Sequence, residues 1–455
     1  MHRSRAAARR GGPTVAADDL TLRVAPGGTL AGRLRVPGDK SISHRAIMLG
    51  ALAEGETRVG GFLEGEDCLA TLRAFRALGV DIQGPEDGEV GIRGVGLHGL
   101  RAPAAPLDMG NSGTSMRLMA GLLAGQPFDT VLTGDASLTR RPMRRVTEPL
   151  ARMGARIDTS PDGTPPLHIH GGVPLRGMDY ALPVASAQVK SSLLLAGLYA
   201  RGRTCITEPA PTRDHTERML AGFGLAVERG EGRVCLQGGG RLTGTRIQVP
   251  GDISSAAFFL VGASIAPDCR LTLEHVGMNP TRTGVIDILR LMGADIRVEN
   301  PREVGGEPVA DLTVCSAPLQ GVDIPPALVP LAIDEFPALF VAAACARGRT
   351  VLTDAAELRV KESDRIQVMA DGLARLGIHA EPTADGMVIE GGEPEGGEVD
   401  SHGDHRVAMA FAMAALRARG SIRIRHCANV NTSFPGFVSL AAGAGLPIEA
   451  EEDGA

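Results

Sequence analysis

One pattern recurs six times along this chain and accounts for nearly everything after residue 36. Each copy opens with a polar cap and an Ala/Leu-rich helix that ends at a Gly, then continues through a β-branched strand and a polar loop to a second amphipathic helix. The copies begin at or near Lys40, Asn111, Ser186, Asp252, Asp334 and Asp404. Because helices and strands alternate within every copy, the repeat predicts an α/β fold with helices covering sheets.

The six copies divide into two globules of three. A Val249-Pro250-Gly251 break separates the third copy from the fourth. We therefore predict one domain over 36–249 and a second formed by 250–455 together with the leading strands in 19–35. A solenoid of six units is the alternative, which the Pro/Gly break disfavours. Residues 1–18 open with the acid-free segment MHRSRAAARRGG and are predicted to form a disordered leader rather than a transit peptide.

Composition narrows the range of partners. A net charge of −6 argues against general binding to nucleic acid or to a membrane surface, so any basic site must be a local concentration. Aromatic residues are only 3% of the chain and Trp is absent, which disfavours a base-stacking platform. No apolar stretch is long enough to predict a membrane span. The seven Cys are scattered without CxxC or zinc spacing, and we expect reduced core thiols in a cytoplasmic protein.

Polar and charged residues that folding does not require collect at helix starts within the copies. They are Lys40, Ser41, Arg45, Asn111, Ser112, Gly113, Arg140, Arg141, Ser186, Gln188, Lys190, Arg213, Asp214, His215, Asp334, Glu335, Lys361, Glu362, Arg365, Asp404, His405 and Arg406. Helix N-termini favour phosphate and carboxylate, and Arg adds bidentate hydrogen bonds to the same groups. If the two domains face each other across a cleft, these starts would converge on a small, multiply anionic ligand.

Plainer interpretations compete at several positions. The start at Lys40 could be a solvated helix cap, and GDKS is not a P-loop because Asp rather than Gly precedes the Lys. For Arg144 and Arg145 a solvated face is favoured, and Ser191 and Ser192 are interpreted as packing residues.

Acidic residues stand among cations in the fifth copy. Asp334, Glu335 and Glu362 lie near Lys361 and Arg365 in the sequence. Carboxylates beside cations suit proton transfer to and from a bound anion, although simple structural ion pairs are the alternative. No metal site is predicted, because the His residues at the helix starts have no partners at metal-ligand spacing.

Eight segments follow one another in a fixed order over residues 30–440: PGDKSISHRAIML, GNSGTSMRL, LTRRPM, SAQVKSS, TRDHTERML, AIDEFPAL, LRVKESDR and DHRVAMA. Together they closely resemble the family of 5-enolpyruvylshikimate-3-phosphate synthase, the enolpyruvyl transferase of the shikimate pathway. The resemblance implies an α/β fold of two similar globular domains, each of three βαβαββ units in an inside-out α/β barrel. The active site is then expected in the cleft between the domains.

The resemblance also implies a reaction. The enolpyruvyl group of phosphoenolpyruvate passes to the 5-hydroxyl of shikimate 3-phosphate by addition and elimination through a tetrahedral intermediate, with release of phosphate. This chemistry needs a base for the hydroxyl, an acid for C3 and cations for a phosphate-rich transition state. No metal or organic cofactor is implied, nor a nucleic acid or membrane partner. A cytoplasmic monomer that glyphosate inhibits is expected.

The family's motifs assign roles to residues of this chain. Shikimate 3-phosphate is expected to contact Lys40, Ser41, Arg45, Ser186, Ala187, Gln188, Arg213, Asp334 and Lys361. Phosphoenolpyruvate is expected to contact Lys40, Asn111, Gly113, Arg141, Gln188, Arg365, His405 and Arg406. By the same resemblance, Asp334 is the candidate base for the 5-hydroxyl, and Glu362 and Lys40 are the candidate proton donors.

Two positions bear on how far the resemblance extends. Many members place Lys where this chain has Thr432 in NTSFPGF, so a phosphate-site cation is absent from that position. TRDHTE and ELRVKESDR point to a divergent bacterial class that includes glyphosate-tolerant members, some of which carry Ala at the position of Gly113. Because Gly leaves space for the inhibitor, sensitivity to glyphosate is predicted.

Two other classes of protein are built on related units. UDP-N-acetylglucosamine enolpyruvyl transferase typically carries a Cys in the loop before its Arg-Pro motif, where this chain has GDASLTRRP with Ala136 and Ser137. A protein that processes or binds RNA termini is disfavoured by the acidic net charge and the scarcity of aromatic residues.

Overall fold

The computed structural model describes residues 20–452, so the predicted leader lies outside the described residues. The helices are α1 Lys40–Leu52, α2 Glu66–Ala77, α3 Gly113–Ala124, α4 Arg144–Arg152, α5 Ala187–Gly197, α6 His215–Gly222, α7 Ile253–Ile265, α8 Gly284–Leu291, α9 Phe336–Ala344, α10 Arg365–Arg375, α11 His405–Ala414, α12 Val430–Ser433 and α13 Phe437–Ala444. Short 3-10 helices are formed by Leu138–Arg140, Pro326–Leu328 and Ala356–Val360.

The strands are short and alternate with these helices. They are β1 Leu20–Val24, β2 Ala31–Leu34, β3 Glu54–Gly60, β4 Asp81–Glu86, β5 Glu89–Val95, β6 Leu107–Asp108, β7 Thr130–Thr133, β8 Arg156–Asp158, β9 Leu167–His170, β10 Asp179–Ala181, β11 Arg203–Thr207, β12 Val227–Gly230, β13 Arg233–Gln237, β14 Arg246–Gln248, β15 Arg270–Gly277, β16 Asp295–Val304, β17 Glu307–Cys315, β18 Arg349–Leu352, β19 Ala380–Pro382, β20 Met387–Glu390, β21 Gly397–Asp400, β22 Ile422–Arg425 and β23 Ile448–Glu452.

Within residues 20–452 the strands form six small sheets of one recurring design. Three sheets belong to the first half of the chain, with strand orders β14-β3-β5-β4, β6-β7-β9-β8 and β10-β11-β13-β12. The others are β2-β15-β17-β16, β18-β20-β19 and β21-β22-β1-β23. In the four-stranded sheets an outer strand runs parallel to its neighbour and the remaining pairs are antiparallel. The predicted α/β fold of two domains with three units each is confirmed.

Two hydrophobic cores occupy the two domains. One core draws on residues between Ile42 and Val249, and the other on Leu22–Val36 together with residues 253–448. The strands β1 and β2 lead the chain but pair with β22, β23 and β15 of the second domain. The helices α7 and α9 are buried along their whole length, which explains why their sequences are apolar on every side.

Polar caps begin the inner helices of both domains. The side chains of Asp39, Ser112, Ser186, Asp252 and Asp404 accept hydrogen bonds from backbone N–H groups of the first turn of α1, α3, α5, α7 and α11. The helix α9 lacks such a cap and has Pro in its first turn. These helix starts are the elements that carry the predicted ligand-binding residues.

The chain crosses between the domains twice, and the two crossings pair with each other. Gly38 and Gly251 form an antiparallel bridge. The backbone N–H of Asp39 donates to Pro250 O at 2.8 Å, and that of Asp252 donates to Pro37 O at 2.9 Å. A Cβ at Gly38 would lie 2.0 Å from Gly61 O, so only Gly allows this close approach.

The expectation of reduced thiols throughout is wrong for one pair of cysteines. Cys205 and Cys235 form a disulfide. They face each other directly on the antiparallel strands β11 and β13, with Cα atoms 4.1 Å apart, and cross-strand neighbours of this kind bring their side chains together. Strand register, which the sequence spacing does not reveal, creates the pair. The other cysteines within residues 20–452 are free.

No helix in residues 20–452 is long and apolar enough to cross a membrane.

Candidate active site

A cavity of about 270 Å³ lies between the two domains, where the helix starts meet. Its walls include Lys40, Ser41, Asp67, Asn111, Gly113, Thr114, Arg117, Arg141, Arg145, Ser186, Ala187, Gln188, Arg213, Asp252, Arg282, Asp334, Asp354, Glu357, Lys361, Glu362, His405 and Arg406. The lining has eight Lys and Arg side chains against six Asp and Glu. Although the chain as a whole carries −6, this cleft concentrates positive charge, as an anion-binding site requires.

The residues to which the resemblance assigns substrate-binding or proton-transfer roles all line this cavity except Arg45 and Arg365. The other residues predicted at helix starts lie outside its lining; they are Ser112, Arg140, Lys190, Asp214, His215, Glu335 and Asp404. Arg45 is buried behind the wall, where its guanidinium donates to Ser41 O at 2.9 Å, Thr216 Oγ1 at 2.7 Å and Ser191 Oγ at 2.8 Å. Ser191 is therefore more than the packing residue that was predicted, because its hydroxyl helps to hold Arg45. Burial lowers the pKa of Arg45 to about 10, and the side chain supports the start of α1 from within.

Lys40 occupies the first position of α1 and reaches across the cleft. Its Nζ donates to Asp67 Oδ2 at 2.8 Å and to Ser433 Oγ at 2.7 Å, and Ser433 belongs to the second domain. Burial would lower the pKa of Lys40, but the Asp67 carboxylate raises it above the ordinary value. Lys40 is therefore a firmly protonated cation. Ser433 directly follows Thr432 in NTSFPGF, where the resemblance predicted that a phosphate-site cation is absent.

Asp334 lies at the centre of a group of cations. Arg213 of the first domain pairs with its Oδ2, and Lys361 Nζ lies 3.3 Å from its Oδ1. Arg406 Nη1 donates to the Asp334 backbone oxygen at 3.1 Å. Burial alone would raise the pKa of Asp334, but Lys361 and Arg213 hold it well below its ordinary value. This carboxylate is ionised and joins the two faces of the cleft.

Glu362 and Asp334 both contact the guanidinium of Arg365. Arg365 Nη2 donates to Glu362 Oε2 at 2.7 Å, while Arg365 Nη1 lies 3.6 Å from Asp334 Oδ1. Asp404 holds the same guanidinium from behind, accepting from Nε at 2.8 Å. Burial would raise the pKa of Glu362, but Arg365 and other cations hold it well below its ordinary value. Arg365 is thus buried between the carboxylates, and it acts on the cleft through them.

Arg141 stands opposite Glu362 across the cleft. Its Nη2 donates to Asn111 Oδ1 at 2.7 Å and to Ser137 Oγ at 3.2 Å, and its Nη1 lies 4.0 Å from Glu362 Oε1. At the neighbouring Gly113, an added Cβ would lie 3.3 Å from Arg141 Nη1. The predicted trio of Asn111, Gly113 and Arg141 is therefore brought together in space.

His405 also lines the cleft and begins α11. Burial, together with the charge of Lys40, lowers its pKa to about 3. The ring is therefore neutral at physiological pH, and its Nε2 is a buried atom with no hydrogen-bond partner among the described residues. A neutral imidazole here can donate or accept one hydrogen bond to a ligand.

Arg117 is a cleft residue that the sequence reasoning missed. Its Nη1 donates to Gln188 Oε1 at 2.7 Å, and Gln188 Nε2 donates to Thr114 Oγ1 at 3.1 Å. Burial and the neighbouring Arg145 lower the pKa of Arg117 to about 10. The signal was available, since Arg117 stands one turn after Gly113 in the motif GNSGTSMRL and so shares its helix face.

Arg145 is not the solvated residue that was predicted. Its Nη1 donates to Glu357 Oε1 at 3.0 Å and its Nη2 lies 3.5 Å from Oε2, which joins α4 of the first domain to the 3-10 helix of the second. Arg144 does remain exposed, with its guanidinium on Pro161 O. A helical pattern alone could not separate the two, because only the position of the opposite domain makes them different.

Within residues 20–452, no group of three or more His, Cys, Asp or Glu side chains is arranged to hold a metal ion. The polar side chains of the cleft are instead dominated by Arg, Lys and carboxylates in direct contact with one another.

The fold and the cleft define a two-domain enolpyruvyl-transferase architecture. At 17% identity, the solved structure of the enolpyruvyl transferase NikO from Streptomyces tendae superposes with a TM-score of 0.76 over 95% of this chain and 99% of that chain. This likeness concerns the fold alone. A solved EPSP synthase from Acinetobacter baumannii is 60% identical, with a TM-score of 0.86 over 95% of this chain and 100% of that one.

A family model described as EPSP synthase (3-phosphoshikimate 1-carboxyvinyltransferase) matches residues 24–440. The chain belongs to this family. A protein from Alkalilimnicola ehrlichii named 3-phosphoshikimate 1-carboxyvinyltransferase is 74% identical over 94% of this chain and 96% of its own length. Another of that name from Nitrosococcus oceani is 70% identical over 95% of this chain and 98% of its own length.

Proposed function

We propose that this protein transfers the enolpyruvyl group of phosphoenolpyruvate to the 5-hydroxyl of shikimate 3-phosphate and releases phosphate. The observation that carries the proposal is the pair of ionised carboxylates, Asp334 and Glu362, that share Arg365 in a cleft lined with cations. The name of a relative 74% identical supplies the acceptor, 3-phosphoshikimate, and the transferred carboxyvinyl group, and the resemblance of the motifs supplies phosphoenolpyruvate as the donor. A cytoplasmic location stays a prediction.

The part of the cleft around Arg213 and Lys361 suits shikimate 3-phosphate. Ser186 and Gln188 lie at the start of α5, where N–H groups and the helix dipole favour a phosphate. Arg213 and Lys361 both contact Asp334, so a bound phosphate or carboxylate would share their charge with that residue. Arg45 would act here indirectly, by holding the Ser41 backbone.

The opposite part of the cleft suits phosphoenolpyruvate. Arg141, Arg406 and Lys40 supply three cations, and the starts of α3 and α11 supply backbone N–H groups near Asn111 and His405. The carboxylate and phosphate of one small substrate can therefore each meet a guanidinium. Arg365 would contribute to this subsite through Glu362 rather than by touching the ligand.

The addition step requires two proton movements. The oxygen of the 5-hydroxyl attacks C2 of phosphoenolpyruvate and gives its proton to Asp334, while C3 takes a proton from Glu362 or Lys40 and becomes a methyl group. The depressed pKa of Asp334 ensures that it is ionised, but it also makes the carboxylate a weak base. Asp334 would therefore accept the hydroxyl proton late, as the C–O bond forms.

A proton donor must first be protonated, and Glu362 is ionised in this structure because cations lower its pKa. Phosphoenolpyruvate would bring negative charge onto Arg141 and Arg406. That charge offsets the cations around Glu362 and raises its pKa toward the range in which it carries a proton. Because its pKa is raised, Lys40 stays protonated and positively charged, and so it stabilises the phosphate more readily than it donates a proton.

Elimination completes the cycle. A C3 proton returns to the enzyme, the C2–C3 double bond forms again, and phosphate leaves from C2 with its electron pair. Lys40, Arg141 and Arg406 would stabilise the departing phosphate, since cations fixed in a buried cleft require little reorganisation during the reaction.

We also infer that the protein acts as a monomer and that glyphosate inhibits it. Both faces of the cleft come from one chain, so a single copy provides every group used above. Glyphosate carries a carboxylate and a phosphonate, the same pair of anionic groups for which the phosphoenolpyruvate subsite has guanidinium partners.

The proposal is tested by identifying the product. Purified protein with both substrates is expected to yield phosphate and the enolpyruvyl ether in equal amounts, measured by a phosphate assay and by mass spectrometry. Lys40→Met should abolish turnover, whereas Arg76→Met, which lies outside the cleft lining, should retain it. Phosphate release without the ether, or no reaction with both substrates, would contradict the proposal.

A further inference from the structure

Arg282 is a buried arginine at the point where the chain crosses between the domains. It precedes α8 in the second domain and is only 3% exposed. Its Nη1 donates to Asp39 Oδ2 at 2.9 Å, and its Nη2 donates to Asp252 Oδ1 at 3.0 Å and to Ser254 Oγ at 2.6 Å. One guanidinium therefore ties together both crossing segments.

The two carboxylates that it holds occupy equivalent places in the two domains. Asp39 caps α1 by accepting from Ile42 N at 2.9 Å, and Asp252 caps α7 by accepting from Ser254 N at 2.8 Å. Asp252 also accepts from the backbone N–H of Lys40 at 3.2 Å. The cap of the second domain's helix thus also holds the first residue of α1, which carries the candidate active-site cation.

The same network reaches Arg406 on the other side of the cleft. Ser254 Oγ donates to Glu335, whose Oε1 lies 3.8 Å from Arg282 Nη2 and 3.9 Å from Arg406 Nη1. Glu335 is 2% exposed, so its charge must be balanced within the protein. Ser254 and Arg282 are the main partners of the Glu335 carboxylate, and Arg406 is only a distant one at 3.9 Å.

We propose that Arg282 is a positioning residue for the proposed reaction, which fixes Lys40 through the two aspartate caps and keeps Glu335 from neutralising Arg406. The inference rests on the proposed function for the identity of the substrates. Arg406 belongs to the proposed phosphoenolpyruvate subsite, and Lys40 is expected at both substrates. In the other subsite, the side chains of Ser186, Gln188 and Lys361 contact groups outside this network among the described residues. Arg282 therefore acts on one substrate more than on the other.

Removal of the Arg282 charge should weaken the binding of phosphoenolpyruvate in particular. Without Arg282, the buried carboxylates of Asp39, Asp252 and Glu335 lose their common partner, and Arg406 is the nearest remaining cation for Glu335. The KM for phosphoenolpyruvate should rise about tenfold or more in Arg282→Met, with a fall in kcat, because one side of a buried charge network has been truncated. The KM for shikimate 3-phosphate should stay within about threefold.

Steady-state kinetics with each substrate varied in turn tests this split. Arg282→Lys, which restores a cation, should recover part of the lost affinity for phosphoenolpyruvate. The double variant Arg282→Met/Glu335→Gln should also recover part of the affinity for phosphoenolpyruvate, because a neutral amide no longer forms an ion pair with Arg406. The matched control Arg290→Met removes an exposed arginine of α8 and should match the wild type. A purely structural role predicts equal losses for both substrates that follow the folded fraction, measured by circular dichroism.

A milder variant keeps the proposal testable if Arg282→Met does not fold. Ser254→Ala removes the hydroxyl between Arg282 and Glu335 but no charge, and it should raise the KM for phosphoenolpyruvate about two- to fivefold. An unchanged KM in Ser254→Ala, or equal changes in both KM values in Arg282→Met, would overturn the proposal. Failure of the proposed function would appear separately, as a wild-type protein that does not turn over these substrates.

Discussion

Asp334 and Glu362 are joined through one buried guanidinium, with Arg365 Nη1 3.6 Å from Asp334 Oδ1 and Nη2 2.7 Å from Glu362 Oε2. Two carboxylates that share a cation are both ionised at neutral pH, and their pKa values are both depressed. The same arrangement brings a proton acceptor and a potential proton donor to neighbouring positions in the cleft.

Replacement of Asp334 should affect turnover far more than binding. Asp334→Ala removes the acceptor for the 5-hydroxyl proton, and we expect kcat to fall about 10²- to 10⁴-fold, as is usual for loss of a general base. The KM for shikimate 3-phosphate should change much less, because Arg213 and Lys361 remain. Stopped assays of phosphate release give both constants, and near-normal turnover in Asp334→Ala would remove Asp334 as the candidate base.

The ion pair between Arg145 of the first domain and Glu357 of the second should contribute modestly to the contact between the domains. Both side chains are about one-third exposed, and such pairs contribute about 0.2–1 kcal/mol. Glu357→Gln should therefore raise the KM values about two- to fivefold with little change in kcat, and added salt should reduce the difference. Kinetics at low and high ionic strength measure this. A loss above 100-fold would mean that Glu357 acts in the chemistry itself.

Gly113 should control sensitivity to glyphosate. A Cβ at this position would lie 2.9 Å from Arg117 Nη1 and 3.3 Å from Arg141 Nη1, so Gly113→Ala must shift the Arg117 guanidinium and crowd that of Arg141, a proposed ligand of the inhibitor. The wild type should be inhibited competitively with phosphoenolpyruvate, and Gly113→Ala should require a higher glyphosate concentration. Gly222→Ala is the control, since an added Cβ meets no atom within 4 Å there. Full wild-type activity at millimolar-scale glyphosate would contradict the prediction.

Buried histidines should make the fold sensitive to mild acid. Burial lowers the pKa of His44 well below its ordinary value and that of His405 to about 3. Both rings are neutral in the folded protein and take up a proton on unfolding below about pH 6.5, so their stabilising effect is complete above that pH and is lost as the pH falls toward the folded-state values. At pH 5 His405 should cost about 2 kcal/mol, and His44 should lower the stability in the same direction.

Urea unfolding at pH 7 and pH 5 measures this loss. His44→Gln should lose less stability than the wild type between the two pH values, because it has no ring to protonate on unfolding. The exposed His379→Gln should behave as the wild type does. The depressed pKa values of Asp334 and Glu362 affect the free energy of unfolding at lower pH. The stability that such carboxylates contribute is lost only as the pH falls below about 4. Identical pH slopes for the wild type and His44→Gln would contradict the assignment.

The repeat made the fold predictable because the same local sequence pattern recurs in the copies. A polar cap, an apolar helix and a terminating Gly specify an inner helix wherever they occur. The pairing of β1 with β22 and β23 joins distant parts of the chain. The Cys205–Cys235 bond similarly depends on strand register, which sequence spacing does not encode.

The candidate site was predictable to the extent that its residues sit at those helix starts. Lys40, Asn111 and Arg406 follow from the template, whereas Arg282 precedes α8 and Glu357 lies in the 3-10 helix Ala356–Val360, away from the helices that open each copy. Arg45 illustrates a different limit. Its place in the motif was clear, but only packing shows that Ser191 and Thr216 hold its guanidinium inside the first domain.

The central claim concerns the acceptor substrate, and one assay addresses it directly. Phosphate release from phosphoenolpyruvate should be measured with shikimate 3-phosphate and, in parallel, with UDP-N-acetylglucosamine. The cleft of about 270 Å³, with Arg213 and Lys361 beside Asp334, predicts rapid release with shikimate 3-phosphate and none above background with the nucleotide sugar. Release with UDP-N-acetylglucosamine alone, or with neither acceptor, would contradict the account.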